Sequence, residues 1–397
     1  MHELTSSGLV VLVVSAALLA ALFLAKLSAR LRIPSAVLFL LAAAGASELF
    51  PSLVLGIPTV ERIATVALIV ILFQGGASIG LTPFRIALAP IALLGVLGTF
   101  GCAALVAVFV HVAFGLGWLT SGLLGAAVAP TDPAVMFSVL GEREIRGRSG
   151  TILEGESGAN DPVGIALMVG LVELATHADA SFWIVVRVFC EQMAIGVAFG
   201  IAGGIAARAL LRRVALPSPG LYTLRTLAIA GVVYGLAAVS HGSGFLAVFI
   251  TGVIAGDVDA PFTHEVEVFQ EGLAALAEIV VFVALGLTIG LGSISAVRWG
   301  DGLAVAAFLA LLARPVVVGA LLAPVDLQVG ERLFVIWGGL KGAVPILLAA
   351  FAVAANVDDA RRIYQTVFVV VLASVLVQGG TIPFAARRFG VERPARS

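Results

Sequence analysis

Long apolar runs alternate with short polar connections from Gly8 almost to the end of the chain. A bilayer core of about 30 Å takes about 20 apolar residues per helix. On that ruler the pattern predicts about thirteen spans, near 8–26, 34–50, 62–80, 86–113, 118–140, 150–175, 185–211, 221–240, 242–256, 265–291, 301–323, 331–355 and 363–388. The ninth is short, and only His241-Gly242-Ser243-Gly244 parts it from the eighth. The predicted fold class is an all-α polytopic membrane protein. The first run is too long for the core of a signal peptide and lacks a basic leader, so it reads as a span that is kept.

Basic residues test the count. With the N-terminus outside, sixteen of the 23 Lys and Arg fall in cytoplasmic connections: Lys26, Arg30, Arg32, Arg85, Arg143, Arg146, Arg148, Arg208, Arg212, Arg213, Arg225, Arg332, Arg387, Arg388, Arg393 and Arg396. Arg62, Arg187, Arg298, Arg361 and Arg362 fall outside. The excess predicts an external N-terminus and a cytoplasmic C-terminus in a multi-pass protein of the cell membrane. An even number of spans scrambles the bias.

Two stretches repeat. Residues 67–81, ALIVILFQGGASIGL, match 277–291, AEIVVFVALGLTIGL, at an offset of 210 residues. A similar offset carries the fifth span onto the twelfth. The fifth holds Pro130 and Pro133 around Thr131 and Asp132. The twelfth holds Gly338, Gly339, Gly342 and Pro345 around Lys341. Proline lacks the N–H and clashes with the preceding turn, and glycine weakens a helix, so both spans are predicted to break within the membrane. The repeat shift is an odd number of spans, which makes the second copy inverted. Spans 1–6 (about 8–175) and 8–13 (about 221–388) form the halves, span 7 (about 185–211) links them, and the whole chain is one transmembrane domain. Glycine and proline are common in membrane helices, but interrupted helices at matched positions of inverted halves are what a transport site is built from.

The sixth span sharpens this picture. It opens as GESGANDP and carries Glu154, Glu156, Ser157, Asn160 and Asp161. Charges inside spans are rare and usually functional. Ser157 and Asp161 are i and i+4, hence on one helix face, and Glu156 and Asn160 form a neighbouring pair. Asp161 is placed near the midplane, at the depth of Asp132 and Lys341. An ionised carboxylate beside carbonyl and hydroxyl oxygens can replace the water of an alkali cation. A carboxyl group in a low dielectric also holds its proton more tightly, so proton and cation compete for it. One such group beside the neutral Asn160 predicts a one-for-one, electroneutral exchange; two adjacent aspartates would permit net charge movement. Arg314 is assigned Glu156 as partner, a pairing that by itself needs only a structural role. For Lys341 the candidates are Asp132 or Glu154, and Glu154 is either part of a cytoplasmic funnel or a solvated helix end.

Composition agrees and excludes. Hydrophobic residues make up 60% of the chain and charged residues 12%, too little charge to cover a soluble domain of this size. No basic domain exists to neutralise phosphates, so nucleic acid is excluded as a partner. Cys102 and Cys190 lie in apolar runs and form no disulfide framework. No His/Cys/Asp grouping has metal-ligand spacing, and no cofactor is expected.

At these residues the sequence resembles the monovalent cation/proton antiporter superfamily, in its electroneutral, bacterial NhaP-like branch. The resemblance rests on Thr131-Asp132-Pro133, on Glu156-Ser157-x-x-Asn160-Asp161, on Arg314-Pro315 and on the run from Gly339 through Lys341 to Pro345. It spans nearly the whole chain and is nearest to the potassium/proton subgroup. It implies thirteen helices, a core domain with two crossed discontinuous helices, a separate dimerisation domain and elevator-like movement. It also implies that Asp161 binds Na+ or K+ or H+ with help from Ser157, Asn160, Thr131 and Asp132, in a homodimer embedded in lipid that serves pH homeostasis. Two positions depart from the pattern. Gln74 stands where relatives carry an acid in the third span, and Lys341 where they carry arginine. An exchanger that has lost its activity is one alternative these departures leave. A sodium-coupled symporter of a small organic anion is another, although the polar inventory is small for it. No filter repeat points to a channel, and no accompanying motif makes Asp132 and Asp161 a hydrolase pair. Only about eight residues follow the last span, so no cytoplasmic regulatory domain is expected.

Overall fold

The computed structural model describes residues 2–31, 33–140, 145, 147–177 and 181–392. Arg32, Arg143, Arg146, Arg393 and Arg396, all counted above as cytoplasmic, lie outside the described residues.

Lipid offers no partner for backbone N–H and C=O groups, and the chain answers by satisfying them within helices. In chain order these are α1 (His2–Leu31), α2 (Ser35–Leu49), α3 (Ile57–Ile79), α4 (Leu88–Phe114), α5 (Trp118–Val128), α6 (Pro133–Leu140), α7 (Ser149–Thr176), α8 (Phe182–Arg213), α9 (Pro219–Val239), α10 (Gly244–Gly256), α11 (Thr263–Gly286), α12 (Ala296–Leu322), α13 (Val329–Trp337), α14 (Ala343–Ala354) and α15 (Ala360–Arg388). Among the described residues the only β pairing is an isolated bridge between Ile145 and Glu392. Among the described residues eight helices are long and apolar enough to cross a membrane: α3, α4, α7, α8, α9, α11, α12 and α15. Five further apolar stretches are shorter: Val14–Ser28 within α1, α2, α5, α10 and α14.

The expected boundaries shift where local chemistry intervenes. The eighth and ninth spans are separate helices, turned at His241, which adopts a positive φ of 61°, and closed by the Gly242 N–H on the Ala237 carbonyl. The tenth stops at Gly286, five residues short of its sequence estimate of 291. A short helix, Leu81–Ile86, precedes α4; its first turn is capped by Asp257, whose carboxylate accepts from the Thr82 N–H at 2.9 Å and the Thr82 hydroxyl at 2.8 Å.

α7 lies at the centre. Two-thirds (67%) of its most apolar window is buried by the rest of the chain, against 28% for α8 and α11, which present more surface outward. It packs on α3, α4, α5, α8, α10, α13 and α14. Close approach needs small residues, because helices in lipid associate by packing alone. At the α3–α10 crossing a Cβ on Gly76 would strike the Phe249 carbonyl, and one on Gly252 the Phe73 carbonyl. Among the described residues three long helices contain a widened π-helical turn: Leu93–Gly98 in α4, Leu309–Ala313 in α12 and Ser374–Gly379 in α15. Such turns displace the register of side chains and recur at functional sites. The first of these packs on α7 and the third beside the site described next.

Candidate functional site

Two pairs of helices stop inside the bundle. α5 ends at Val128 and α6 begins at Pro133, leaving residues 129–132 non-helical. α13 ends at Trp337 and α14 begins at Ala343, leaving 338–342 non-helical. The breaks touch. The Asp132 N–H donates to the Leu340 carbonyl at 2.8 Å. A Cβ on Gly342 would overlap the Asp132 side chain, so only glycine lets the two segments meet there.

Each break exposes backbone groups that need partners. Lys341 serves the first: its Nζ donates to the Ala129 carbonyl at 2.7 Å and the Pro130 carbonyl at 3.0 Å. These lie at the C-terminal end of α5, where the helix dipole is negative and a cation is favoured. The ammonium is 2% exposed as a residue and is directed at these two main-chain oxygens, whereas Asp132 or Glu154 had been the sequence candidates. α15 serves the second. The Lys341 N–H donates to Ser374 Oγ at 3.1 Å, Ser374 Oγ donates to Gln378 Oε1 at 2.7 Å, and Gln378 Nε2 reaches the Trp337 carbonyl at 3.4 Å.

Arg314 follows the π-helical turn of α12 and forks onto Glu156 of α7, Nη1 to Oε1 at 2.8 Å and Nη2 to Oε2 at 3.0 Å. Two more of its donors, on Nε and Nη2, meet the Ile336 carbonyl at 2.9 Å and the Val335 carbonyl at 3.0 Å. Planar, two-toothed pairing of this kind is what arginine does and lysine does not. Both partners are buried and mutually satisfied, so Glu156 is committed to holding α7, α12 and the end of α13 together.

Farther along α7 the polar groups turn to the first break. Asn160 Oδ1 accepts from the Thr131 N–H at 3.2 Å, and its Nδ2 donates to Thr131 Oγ1 at 2.8 Å. Ser157 Oγ donates to the Thr131 carbonyl at 2.6 Å. Asn160 and Ser157 therefore fix the break to α7. Asp161 is different. It is 6% exposed, and its Oδ1 is enclosed and accepts no hydrogen bond. Pro162 follows it and has no N–H, so the Gly158 carbonyl lacks its donor from the next turn.

A cavity of about 460 Å³ meets this carboxylate. Asp132, Glu154, Ser157, Asp161 and Gln74 line it, whereas Asn160 and Thr131 stand behind its wall and Glu156, Arg314 and Lys341 are not part of it. The cavity reaches the surface past Ser78 and Glu271, which are exposed. A second cavity of about 680 Å³ enters from the opposite ends of the same helices, lined by Glu61, Thr65, Glu173, Glu191, Tyr234 and Ile165 among others. On α7 the floors of the two are Asp161 and Ile165; on α3 they are Leu68 and Thr65. Spacings of three and four residues amount to about one helical turn, or about 5 Å.

Sequence reasoning passed over four residues here. Ser374 and Gln378 carry no charge and gave no signal apart from their place in an apolar run. Glu278 and Glu271 did give one: both are carboxylates within the tenth span, deeper in it than Glu265 and Glu267 at its start.

The chain has clear relatives. The sequence pattern of the family described as "Sodium/hydrogen exchanger, transmembrane" matches residues 14–388. The K(+)/H(+) antiporter NhaP of Alkalimonas amylolytica is 37% identical over 337 residues, which is 84% of this chain and 58% of that protein. The K(+)/H(+) antiporter NhaP2 of Shewanella sp. (strain ANA-3) is 34% identical over 389 residues, 96% of this chain and 67% of that protein. The chain thus spans only about three-fifths to two-thirds of these relatives' length. In fold it superposes on the sodium proton antiporter MjNhaP1 from Methanocaldococcus jannaschii at pH 8 with a TM-score of 0.80 and 23% identity, covering 92% of this chain and 97% of that one. A family pattern that runs through both breaks, α7 and α12, together with a shared fold over most of the chain, makes this a multi-pass membrane protein belonging to the transmembrane sodium/hydrogen exchanger family.

Proposed function

We propose that the protein is a secondary antiporter that exchanges a monovalent cation, Na+ or K+, for H+ by alternating access, with both competing for Asp161. One observation carries this reading: a buried carboxylate oxygen without a protein partner, at the floor of a water-accessible cavity where two interrupted helices meet. Burying such a group uncompensated is costly, so in the working cycle it holds a proton or a cation. Gly158, whose carbonyl has no i+4 donor because Pro162 lacks an N–H, and the Ser157 hydroxyl line the same wall and offer the hard oxygens that alkali ions take. Asp132 adds a carboxylate at the break. Thr131 and Asn160 act by setting the backbone that faces the ion, while Glu156, Arg314 and Lys341 secure the frame. The names of the relatives above, potassium/proton and sodium/proton antiporters, fit this chemistry.

The neutral Asn160 leaves one carboxylate at the floor to change occupant, which favours electroneutral exchange. The eight long and five shorter apolar helices support a count of thirteen spans, with α5/α6 and α13/α14 as the crossed discontinuous pairs of an inverted repeat. In that scheme residues 8–175 and 221–388 are the halves, α8 is the link, and the whole is one exchanger domain. The N-terminus lies outside, the C-terminus in the cytoplasm, and the protein works in the plasma membrane as a homodimer. With the two cavities about one turn apart, a modest shift of the α7 core against its surroundings passes Asp161 from one water phase to the other.

Proteoliposomes loaded with a pH-sensitive dye test this. Adding Na+ or K+ moves protons in the wild type and not in Asp161→Asn. Competition sets the sign of the pH effect: as pH falls, protons occupy Asp161 and apparent cation affinity falls with it. An affinity independent of pH would sink direct competition, and measuring each alkali ion in turn assigns the substrate.

A further inference from the structure

In the cavity that meets Asp161, the larger share of the charge comes from residues outside the motif. Five carboxylates line it, Asp132, Glu154, Asp161, Glu271 and Glu278, and among the described residues no lysine or arginine does. Such a cavity attracts cations and must be neutralised by cations or protons. Within it, two acids on different helices each have an enclosed oxygen that accepts no hydrogen bond: Asp161 Oδ1, on a residue 6% exposed, and Glu278 Oε1, on a partly buried one. Glu278 and Glu271 are seven residues apart on α11, hence on one face and about 10 Å apart along its axis. The exposed Glu271 is at the rim, Glu278 deeper, and Asp161 at the floor.

We propose that Glu278 is a staging carboxylate: it takes the incoming alkali cation, or the proton that excludes it, before Asp161 does, and so sets apparent cation affinity on this side of the membrane. The inference rests on the antiport reading above. Gln74 of α3 lines the same cavity and is neutral, which leaves Glu278 as the mid-cavity acid on the wall formed by α3 and α11. The charged groups on elements packed against α11 lie elsewhere: Glu48 of α2 binds the Gly292 N–H, Glu61 and Arg62 sit at the far end of α3, Arg225 of α9 lines a separate pocket with Glu271, and α14 has none. The groups that respond to Glu278 are thus Asp132, Glu154, Asp161 and Glu271. Only the occupant of Asp161 crosses, so exchange remains one for one.

The test uses the full chain in proteoliposomes, with Na+ and K+ added to the side that this cavity faces, and thermal unfolding in detergent with the same ions. Glu278→Gln, an isosteric change, is expected to raise the half-saturating cation concentration about tenfold while the maximal rate stays within about twofold. It is also expected to flatten the fall of affinity at low pH. Glu278→Asp recovers part of the affinity, and Gln74→Glu in the Glu278→Gln background restores it from the facing helix. Wild-type half-saturation and pH profile in Glu278→Gln overturn the proposal, and so does a loss of rate and thermal stability at unchanged affinity. A wild type that neither exchanges nor is stabilised by any alkali ion overturns the antiport reading and this one together. An active wild type, an inert Asp161→Asn and an unaltered Glu278→Gln overturn staging alone.

Discussion

Glu156 and Asp161 are five residues apart on one helix, both buried, and both acidic, yet they are set up for opposite tasks. Glu156 has a guanidinium on both oxygens, and that guanidinium is itself satisfied by two carbonyls. Asp161 has an oxygen with no protein partner and a cavity in front of it. The first arrangement leaves nothing to exchange. The second is incomplete until something mobile arrives. Burial and residue type do not distinguish the two carboxylates; the completeness of their hydrogen bonding does, and on the proposed reading that difference separates a structural acid from a transporting one.

The sharpest way to break this contrast is to neutralise each in turn. Asp161→Asn removes a group that the fold never satisfied. Cation-evoked proton flux is expected to drop to the level of protein-free liposomes, while the unfolding temperature holds or rises and loses its dependence on Na+ or K+. Glu156→Gln does the reverse. It strands Arg314 in the interior, and removing one partner of a buried pair typically costs about 3–5 kcal/mol. The variant is expected to unfold many degrees lower, with the half-saturating cation concentration of the folded fraction unchanged. Replacing both partners together, Glu156→Met with Arg314→Leu, is expected to recover most of that loss. A Glu156→Gln protein that kept its stability and lost its ion affinity would place Glu156 in the transport chemistry and erase the distinction.

The two residues also mark how far the sequence could be read. Apolar run length located the helices, because a bilayer imposes a length on each. Proline and glycine clusters around a charge, at matched positions of two spans, located both breaks; single prolines such as Pro162 sit inside unbroken helices. The assignment of Arg314 to Glu156 needed only two unpaired charges of opposite sign in spans. What could not be read was direction. Lys341 has three donors on a flexible stem, and nothing in its neighbours says that they reach the α5 carbonyls and not a carboxylate. Nor could the sequence say that Asn160 faces the backbone of the break while Asp161, one residue on, faces water. Glu278 was legible as a charge in a span, but its shared cavity with Asp161 is a fact of packing between α3, α7 and α11.

Lys341 offers a smaller, sharper test of the same idea, since it neutralises main chain and not a side chain. Lys341→Met keeps the length and apolar stem of the residue but strips the Ala129 and Pro130 carbonyls of their donor at the negative end of α5. Leaving buried acceptors unmet costs about 1–3 kcal/mol. The expected result is a moderate drop in thermal stability and a slower maximal rate, as the first break loosens, with ion affinity shifted less than in any variant of Asp161 or Glu278. Lys341→Arg keeps the charge but offers a flat fork where two carbonyls of adjacent residues are to be met. It should fall between wild type and Lys341→Met in a thermal scan. Equal stability for all three would mean that these carbonyls find other partners.

The smallest effect is expected at Ser374, and its smallness is informative. Its hydroxyl accepts the Lys341 N–H and passes a hydrogen bond to Gln378. Ser374→Ala leaves one buried N–H of the second break without an acceptor and Gln378 Oε1 without a donor, for a loss of about 1–2 kcal/mol. Ser374 does not line the cavity, so the loss should appear as a lower unfolding temperature and an unchanged half-saturating cation concentration. The two breaks are tied through Asp132 and Leu340, and that tie is the route by which a disturbance at Ser374 can reach the ion. If Ser374→Ala weakens cation binding more than it weakens the fold, the backbone of the second break is transmitting geometry to Asp132 and the cavity it lines. The frame and the floor of the site would then be one mechanical unit, and the separation drawn between Glu156 and Asp161 would hold for chemistry but not for motion.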